Sequence, residues 1–192
     1  MHHERCAATR RGRKRPRVVS VIAVLLTLCL LWAVLGLRFI VYPQVNSTSE
    51  IDTVDAVYVL GPAPPARMAK GMAMANSGLS DHLVVTVGEN SPPPGYCSAQ
   101  HSFTVHCVQP DPMTTGGESA HWARMAHEHQ WDSIAVITNR PHITRAELYF
   151  SRCFDGRIWM IDDESELSHH FWDRRFLYES AAFVKYVFSN NC

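Results

Sequence analysis

The sequence lacks the short motifs that identify several large classes of enzyme. It contains no Gly-x-Gly-x-x-Gly dinucleotide fingerprint, no Walker A loop, no Gly-x-Ser-x-Gly nucleophile elbow and no His-Glu-x-x-His zinc motif. The Cys-x-x-Cys spacing typical of structural zinc sites is also missing. We therefore expect no metal site, and any function has to be inferred from combinations of residues that are less specific than these motifs.

Charge and proline are absent from residues 18–37, a run of twenty residues. An α-helix of about 20 residues is about 30 Å long, which matches the hydrocarbon thickness of a bilayer. The run is too long for a cleaved signal peptide, and no small-x-small cleavage site follows it. We therefore predict a transmembrane signal anchor at residues 18–40.

Basic residues are distributed unevenly around this run. Seven lie in the tail of residues 1–17, whereas Arg38 alone follows the run before Arg67. The positive-inside rule then predicts a single-pass plasma-membrane protein with a cytoplasmic N-terminus and an extracytoplasmic domain. Residues 44–192 contain ten Lys and Arg against seventeen Asp and Glu, a net charge of −7. Such an acidic domain is a poor candidate for binding nucleic acid.

Four of the six cysteines fall in the predicted outer domain, at Cys97, Cys107, Cys153 and Cys192. An even number of cysteines in an oxidising compartment favours disulfide bonds. Cys97 and Cys107 flank a short segment, and Cys153 can reach the C-terminal Cys192, so we prefer these two pairs. Four cysteines allow three pairings, and the other two stay open.

Short apolar runs alternate with helical patterns from residue 54 onward. We predict a polar stalk at residues 41–53 and an α/β domain at residues 54–192. The predicted strands are residues 55–60, 82–87, 103–108, 133–138 and 157–161, and the predicted helices are residues 67–76, 115–130, 144–154 and 171–188. This alternation indicates βαβ units, hence a mostly parallel sheet with helices on both faces.

Polar residues follow four of the predicted strands, where each strand ends. In an open parallel sheet, ligands bind at the carboxyl ends of the strands, so these residues are expected to converge. The candidate ligand-binding residues are Gly61, Arg67, Gly88, Glu89, Thr114, Thr115, Asn139 and Arg145. Convergence from four separate turns is the strongest functional signal in the sequence.

The predicted cluster suits an anion. Two helix N-termini, at Thr115 and Thr144, offer N–H groups and the positive end of a helix dipole. Arg67 and Arg145 can add bidentate contacts to a phosphate or a carboxylate. The sequence therefore predicts an anionic small-molecule or lipid-linked ligand, while the ligand itself and any cofactor stay open.

His142 and Glu118 are the candidate catalytic residues. His142 can serve as a general acid or base whose protonation is tuned by Glu118 or by Glu89. Whether the chain is an enzyme stays open, because the same residues have structural interpretations. Thr115-x-x-Glu118 matches a helix capping box, and a single histidine is more often structural than catalytic.

Taken in order, these segments resemble the bacterial domain shared by SanA, ElyC and YdcF. The matching pieces are Asp55–Gly61, Arg67, Val84–Gly88, Thr115–Glu118, Ala135–Thr138 and His142–Ala146, which span about residues 52–165. The pattern Pro-x-Pro-x-Thr-Thr-x-Gly-Glu at residues 110–118, together with paired cysteines, is similar to actinobacterial members. Two turns depart from the common pattern, at residues 88–97 and 112–115, so the ligand is expected to differ from that of better-known members.

The resemblance implies a Rossmann-like three-layer sandwich behind one membrane anchor and a role in cell-envelope biogenesis. Its implied ligands are peptidoglycan precursors or their polyprenyl carrier, and one soluble member of the family is associated with S-adenosylmethionine. The alternative hypothesis is a non-enzymatic, membrane-tethered scaffold that recruits envelope machinery. That scaffold would use an exposed apolar patch near Phe171, Trp172 and Phe176.

Overall fold

The computed structural model describes residues 15–88, 94–189 and 192. The chain divides into two compact units, Met1–Leu35 and Gly36–Cys192. Helix α1 spans Arg15–Gly36, and a π-helical segment follows at Leu37–Val41. Within the described ranges, one helix is long and apolar enough to cross a membrane, at Val18–Val41, and its most apolar stretch is not buried in the protein.

The second unit is built on a five-stranded parallel sheet with the strand order β3-β2-β1-β4-β5. The strands are β1 Ala56–Val59, β2 His82–Thr86, β3 Thr104–Val108, β4 Ser133–Thr138 and β5 Arg157–Asp162. The helices are α2 Pro65–Asn76, α3 Thr115–His129, α4 Ile143–Cys153 and α5 His169–Val187. Helices lie on both sides of the sheet, so the predicted α/β class is confirmed.

The sheet separates two hydrophobic clusters because successive side chains of a strand point to opposite faces. Val57 and Val59 join one cluster with Met74 of α2. Tyr58 joins the other, where its ring meets Trp122 and Phe150 edge-on with centroids 6.1 and 5.4 Å away. All four residues of β1 are buried, as expected for a central strand covered on both faces.

The start of α2 lies two residues before the predicted one. Pro65 occupies its first turn, where a proline loses no intrahelical hydrogen bond and its fixed φ suits the helix. A helix that begins at Arg67 would leave Pro64, Pro65 and Ala66 in the preceding loop. Arg67 consequently lies inside the first turn of α2 and points back toward the end of β1.

Residues 41–53, which the sequence predicts to be a polar stalk, make contacts with the domain. The Asn46 N–H donates to Met160 O, and the Met160 N–H donates to Asn46 Oδ1, both at 2.8 Å. Ile51 is buried in the hydrophobic cluster that contains α2. These contacts also occupy backbone groups on the outer edge of β5, which would otherwise be open to pairing.

Two disulfide bonds join Cys97 to Cys107 and Cys153 to Cys192. These are the pairs preferred from the sequence. The first holds the 3₁₀ turn Gly95–Cys97 to β3, and the second holds the last residue of α4 to the C-terminal residue. Each bond closes a loop and so restricts the unfolded chain.

Candidate functional site

The polar residues predicted at the strand ends line one pocket. The order of strands reverses between β1 and β4, so the connections that leave them diverge and open a crevice, the usual ligand position in such sheets. The pocket has a volume of about 680 Å³, within the range of ligand sites. Its lining includes Gly61, Arg67, Gly88, Thr114, Thr115, Glu118, Asn139, His142 and Arg145. Glu89 lies outside the described residues, and the roles predicted for the others stay predictions.

Glu118 does not form the capping box that the sequence suggested. Its Oε1 accepts the Gly61 N–H at 2.8 Å, which ties the first turn of α3 to the end of β1. Gly61 allows this approach because a Cβ there would lie 2.7 Å from Thr86 Cγ2. Burial raises the pKa of Glu118 to about 6, against the lowering effect of the Gly61 N–H, Thr86, Arg67 and Arg145. The carboxyl group is therefore poised to change charge close to neutral pH.

The N-cap of α3 is Thr114, and Thr115 is the first helical residue. Thr114 Oγ1 accepts the Gly117 N–H at 3.2 Å. Gly117 packs against the carbonyl oxygen of Pro112, where a Cβ would have no room. Thr114 satisfies one N–H group of the first turn, and the earlier ones have no acceptor within the helix. The residues that carry these N–H groups include Thr115 and Gly116, which line the cavity.

Thr115 belongs to a series of hydrogen-bonded side chains that runs through His142. Arg145 Nη1 donates to Thr115 Oγ1 at 3.1 Å, and His142 Nε2 lies 3.2 Å from the same oxygen. His142 Nδ1 lies 3.0 Å from Thr138 Oγ1 at the end of β4. With the proton on Nδ1, the ring donates to Thr138 and accepts the Thr115 hydroxyl proton through Nε2.

The surroundings keep His142 neutral. Burial lowers its pKa well below the ordinary value, and the charges of Arg145, Arg175 and Arg67 lower it further. The expected tuning by Glu118 is not what the structure shows, because the hydrogen bonds of Glu118 go to Gly61 and Thr86. A neutral imidazole can accept the hydrogen bond of the Thr115 hydroxyl, but the lowered pKa makes His142 a weaker base than an exposed histidine.

Arg67 and Arg145 are fixed by carboxylates. Arg67 Nε donates to Asp163 Oδ2 at 2.8 Å, and its Nη1 donates to Leu60 O at 2.7 Å. Arg145 donates to both Glu179 oxygens, through Nε at 2.6 Å and Nη2 at 3.2 Å. The predicted bidentate forks are thus occupied by protein groups, and these arginines supply positive charge and order to the pocket.

Helix α5 supplies part of the pocket that the sequence did not reveal. Glu179 is fully buried and also binds Arg175 Nη2 at 2.9 Å, one helical turn earlier. Further lining residues from this side of the pocket are Tyr149 of α4 and Phe171, Arg175, Tyr178, Ala182, Lys185 and Ser189 from α5 and its end. The available signal in the sequence was the spacing of Arg175 and Glu179, which lie four residues apart on the predicted closing helix.

Two polar atoms in the pocket have no hydrogen-bond partner among the described residues. They are Asn139 Oδ1, just beyond β4, and Arg175 Nε on α5, and both atoms are buried. A buried polar atom without a partner costs about 1–3 kcal/mol, so a site that keeps one commonly offers it to a ligand. One is an acceptor and the other a donor, which fits a ligand with both a hydroxyl group and an anionic oxygen.

The lining is strongly basic, in contrast to the domain as a whole. Arg67, Arg145, Arg175 and Lys185 contribute four positive charges, whereas Glu118 is the one acidic side chain among the described lining residues. Asp163 and Glu179 lie behind the arginines and hold them. Among the residues that the structure describes, no group of three His, Cys, Asp or Glu side chains is arranged to hold a metal ion.

Comparisons with known proteins return nothing that extends these observations. No protein-family model, no curated protein and no solved structure matches the chain.

Proposed function

We propose that the chain is a membrane-anchored protein of cell-envelope biogenesis. Its outer domain binds or processes a phosphorylated or lipid-linked cell-wall precursor at the carboxyl ends of the strands. The observation that carries this proposal is the joint presence, in one pocket, of four basic side chains, the N-terminus of α3 and two buried polar atoms without described partners.

Electrostatics favour an anion over a neutral ligand. The three arginines are held in place by buried carboxylates, so binding does not have to order them. Lys185 stands at the rim with no buried carboxylate beside it in the lining. Charges in a partly enclosed crevice are screened less by salt than charges on an open surface. Fixed positive groups of this kind suit a phosphate or pyrophosphate.

The anchor and the compartment rest on different observations. Val18–Val41 is long enough to span a bilayer, and the basic tail before it puts the N-terminus in the cytoplasm under the positive-inside rule. The two disulfide bonds fit an oxidising space outside the cytoplasm. An envelope precursor on the outer side of the membrane is therefore within reach of the domain.

Proton transfer is available should the domain process its ligand. His142 can take the hydroxyl proton of Thr115, and the Arg145 guanidinium beside that oxygen favours the resulting negative charge. Glu118, with a pKa of about 6, can hold or release a proton at the opposite wall. The proposal assigns base function to His142 and acid function to Glu118 in such a step.

A ligand panel tests the proposal. The full chain, purified in detergent with its disulfides intact, is melted with inorganic pyrophosphate, nucleotides, S-adenosylmethionine, sugar phosphates and short-chain polyprenyl phosphates. A ligand present at about 100 times its dissociation constant adds about 2.7 kcal/mol, which raises the melting temperature by several degrees in a chain of this size. We expect such a shift with phosphorylated compounds.

Asn139→Asp is the matched variant for this experiment, because it puts a negative charge at the unpartnered amide with little change of shape. Gln100→Glu makes the same change of net charge on the exposed surface. We expect Asn139→Asp to abolish the shift and Gln100→Glu to preserve it. Equal shifts in both variants would place the ligand elsewhere, and no shift with any compound would favour the tethered scaffold.

A further inference from the structure

One face of α5 is apolar and exposed. Leu177, Ala181, Val184 and Phe188 recur at helical spacing and so lie along one side of the helix. The three large side chains are between 59% and 81% exposed. Of the residues near which the apolar patch was expected, Phe171 is 37% exposed, whereas Trp172 and Phe176 are half-buried. Leu177, Ala181, Val184 and Phe188 together form the outer row of α5.

Basic and aromatic side chains flank the outer row. Arg174, Tyr178 and Lys185 are exposed and lie beside it around the helix. Helix α5 contains two acidic residues, Asp173 and Glu179, and Glu179 is fully buried against Arg145 and Arg175. An apolar row bordered by cations and a tyrosine is typical of helices that lie in the interface of an anionic membrane.

The end of the candidate membrane span packs on the same helix. Gly36 lies against the ring of Phe176, the residue that precedes Leu177 in the sequence. A Cβ at Gly36 would have no room beside this ring. Thr144 Oγ1 at the start of α4 donates to Phe39 O at 2.6 Å, and Ile40 is buried in the domain. If the candidate span Val18–Val41 crosses the bilayer, Leu177, the neighbour of Phe176 in the sequence, lies close to the membrane surface.

We propose that α5 lies along the outer surface of the bilayer with the outer row in contact with lipid. Tyr178, Ala182 and Lys185 line the pocket from the same helix. The mouth of the pocket then opens among the lipid headgroups instead of into bulk solvent. The inference rests on the membrane anchor of the proposed function, and it is independent of which ligand the pocket binds.

Photo-crosslinking of the full chain in lipid nanodiscs tests this surface. p-Benzoylphenylalanine replaces Leu177, Val184 or Phe188 in separate variants, all at exposed positions that leave the core intact. Leu26→p-benzoylphenylalanine in α1 reports the anchor itself, and Gln100→p-benzoylphenylalanine, in the loop before the far edge strand β3, is the negative control. Adducts are identified by mass spectrometry.

We expect lipid adducts at Leu177, Val184 and Phe188 with yields comparable to that at Leu26, and only background at Gln100. Phe188 is the decisive position, since it lies about 16 Å along the helix from Leu177 at 1.5 Å per residue. Lipid adducts at Leu177 without any at Phe188 would mean that α5 points away from the bilayer and would overturn the proposal. Adducts to a second copy of the chain would overturn it in favour of self-association. Absence of a lipid adduct at Leu26 would show instead that α1 does not lie in the bilayer, and the proposal would lose the membrane anchor on which it rests.

Discussion

The two ends of the parallel sheet treat polar groups in opposite ways. At the amino end, Asp55 Oδ2 accepts the N–H groups of Asp132 and Ser133 at 2.9 Å and the Ser133 hydroxyl at 2.6 Å. Burial raises the pKa of Asp55, but these hydrogen bonds outweigh it and the pKa is lowered. At the carboxyl end, Asn139 Oδ1 and Arg175 Nε have no hydrogen-bond partner among the described residues. Burial there raises the pKa of Glu118 by more than its hydrogen bonds and the neighbouring arginines lower it.

This difference distinguishes a structural end from the end that we propose binds a ligand. The hydrogen bonds at the amino end pair Asp55 with Ser133 and the backbone of Asp132 and so join β1 to β4. The carboxyl end holds charges in place while leaving an acceptor and a donor unmatched. An end of a sheet that pays stability for unsatisfied polar atoms is the expected place for function.

The largest effect is expected from breaking the charge network at the carboxyl end. Glu179→Gln leaves Arg145 and Arg175 buried without their carboxylate, and removing one partner of a buried pair costs about 3–5 kcal/mol. For a chain of this size, that predicts a fall in melting temperature of about 10 °C. Thermal unfolding followed by circular dichroism measures it. The exposed Glu166→Gln is the control, and equal melting of both variants would contradict the network.

Two neighbouring aspartates, Asp162 and Asp163, allow the effect of burial on an ion pair to be measured. Asp163→Asn removes the carboxylate that holds the buried Arg67, whereas Asp162→Asn removes the partner of Arg140, which is 42% exposed. We expect a loss of about 3 kcal/mol for Asp163→Asn and of about 1 kcal/mol or less for Asp162→Asn. Chemical denaturation of both variants measures the difference. Equal losses of unfolding free energy in the two variants would contradict the claim that burial of the arginine determines the cost of removing its carboxylate.

A smaller effect is expected at the amino end. Asp55→Ala removes the acceptor of three hydrogen bonds, which we expect to cost about 2 kcal/mol in unfolding free energy. The melting shift produced by a ligand should stay as large as in the unchanged chain, because this carboxylate lies at the far end of the sheet. Asp52→Asn at an exposed position is the control. Loss of ligand binding in Asp55→Ala would break the division between the two ends.

The smallest effect concerns the pH dependence of Glu118. Its pKa is raised from 4.5 to about 6, so the folded chain holds this proton more tightly and stability falls as pH rises through that window. Glu118→Gln keeps an acceptor for the Gly61 N–H and removes the titration, with a gain of up to about 2 kcal/mol above pH 6. Melting curves at several pH values, taken as variant minus unchanged chain, measure this gain. His142 has the opposite slope below its ordinary value of 6.5, and the subtraction removes its contribution. A constant difference across pH would contradict the raised pKa.

The sequence predicted the elements well because local patterns determine them. Strand β4 has the predicted bounds, and α3 differs from its prediction by one residue. The pocket residues followed from one topological rule, since parallel strands end at a common edge. The rule identified residues in the turns and first helical turns that follow the strands, but it did not identify the lining residues that come from α5.

The sequence did not predict the partners of those residues, because they come from distant segments. Arg145 meets Glu179 across 34 positions and Arg67 meets Asp163 across 96, and no local pattern encodes either pair. The helix cap moved from Thr115 to Thr114 for a similar reason. Thr115 is used by His142 and Arg145, and only the tertiary fold brings those side chains to it.

The account is tested most directly by hydrogen–deuterium exchange of the full chain with and without a short-chain polyprenyl phosphate. We predict slower exchange in segments at the carboxyl end, which are residues 61–67, 114–118 and 139–145, together with residues 175–185 of α5. Residues 55–57 and 131–134, at the amino end, should exchange at unchanged rates. Protection at the amino end, or none anywhere at a saturating concentration, would contradict the claim that the carboxyl end is the binding end.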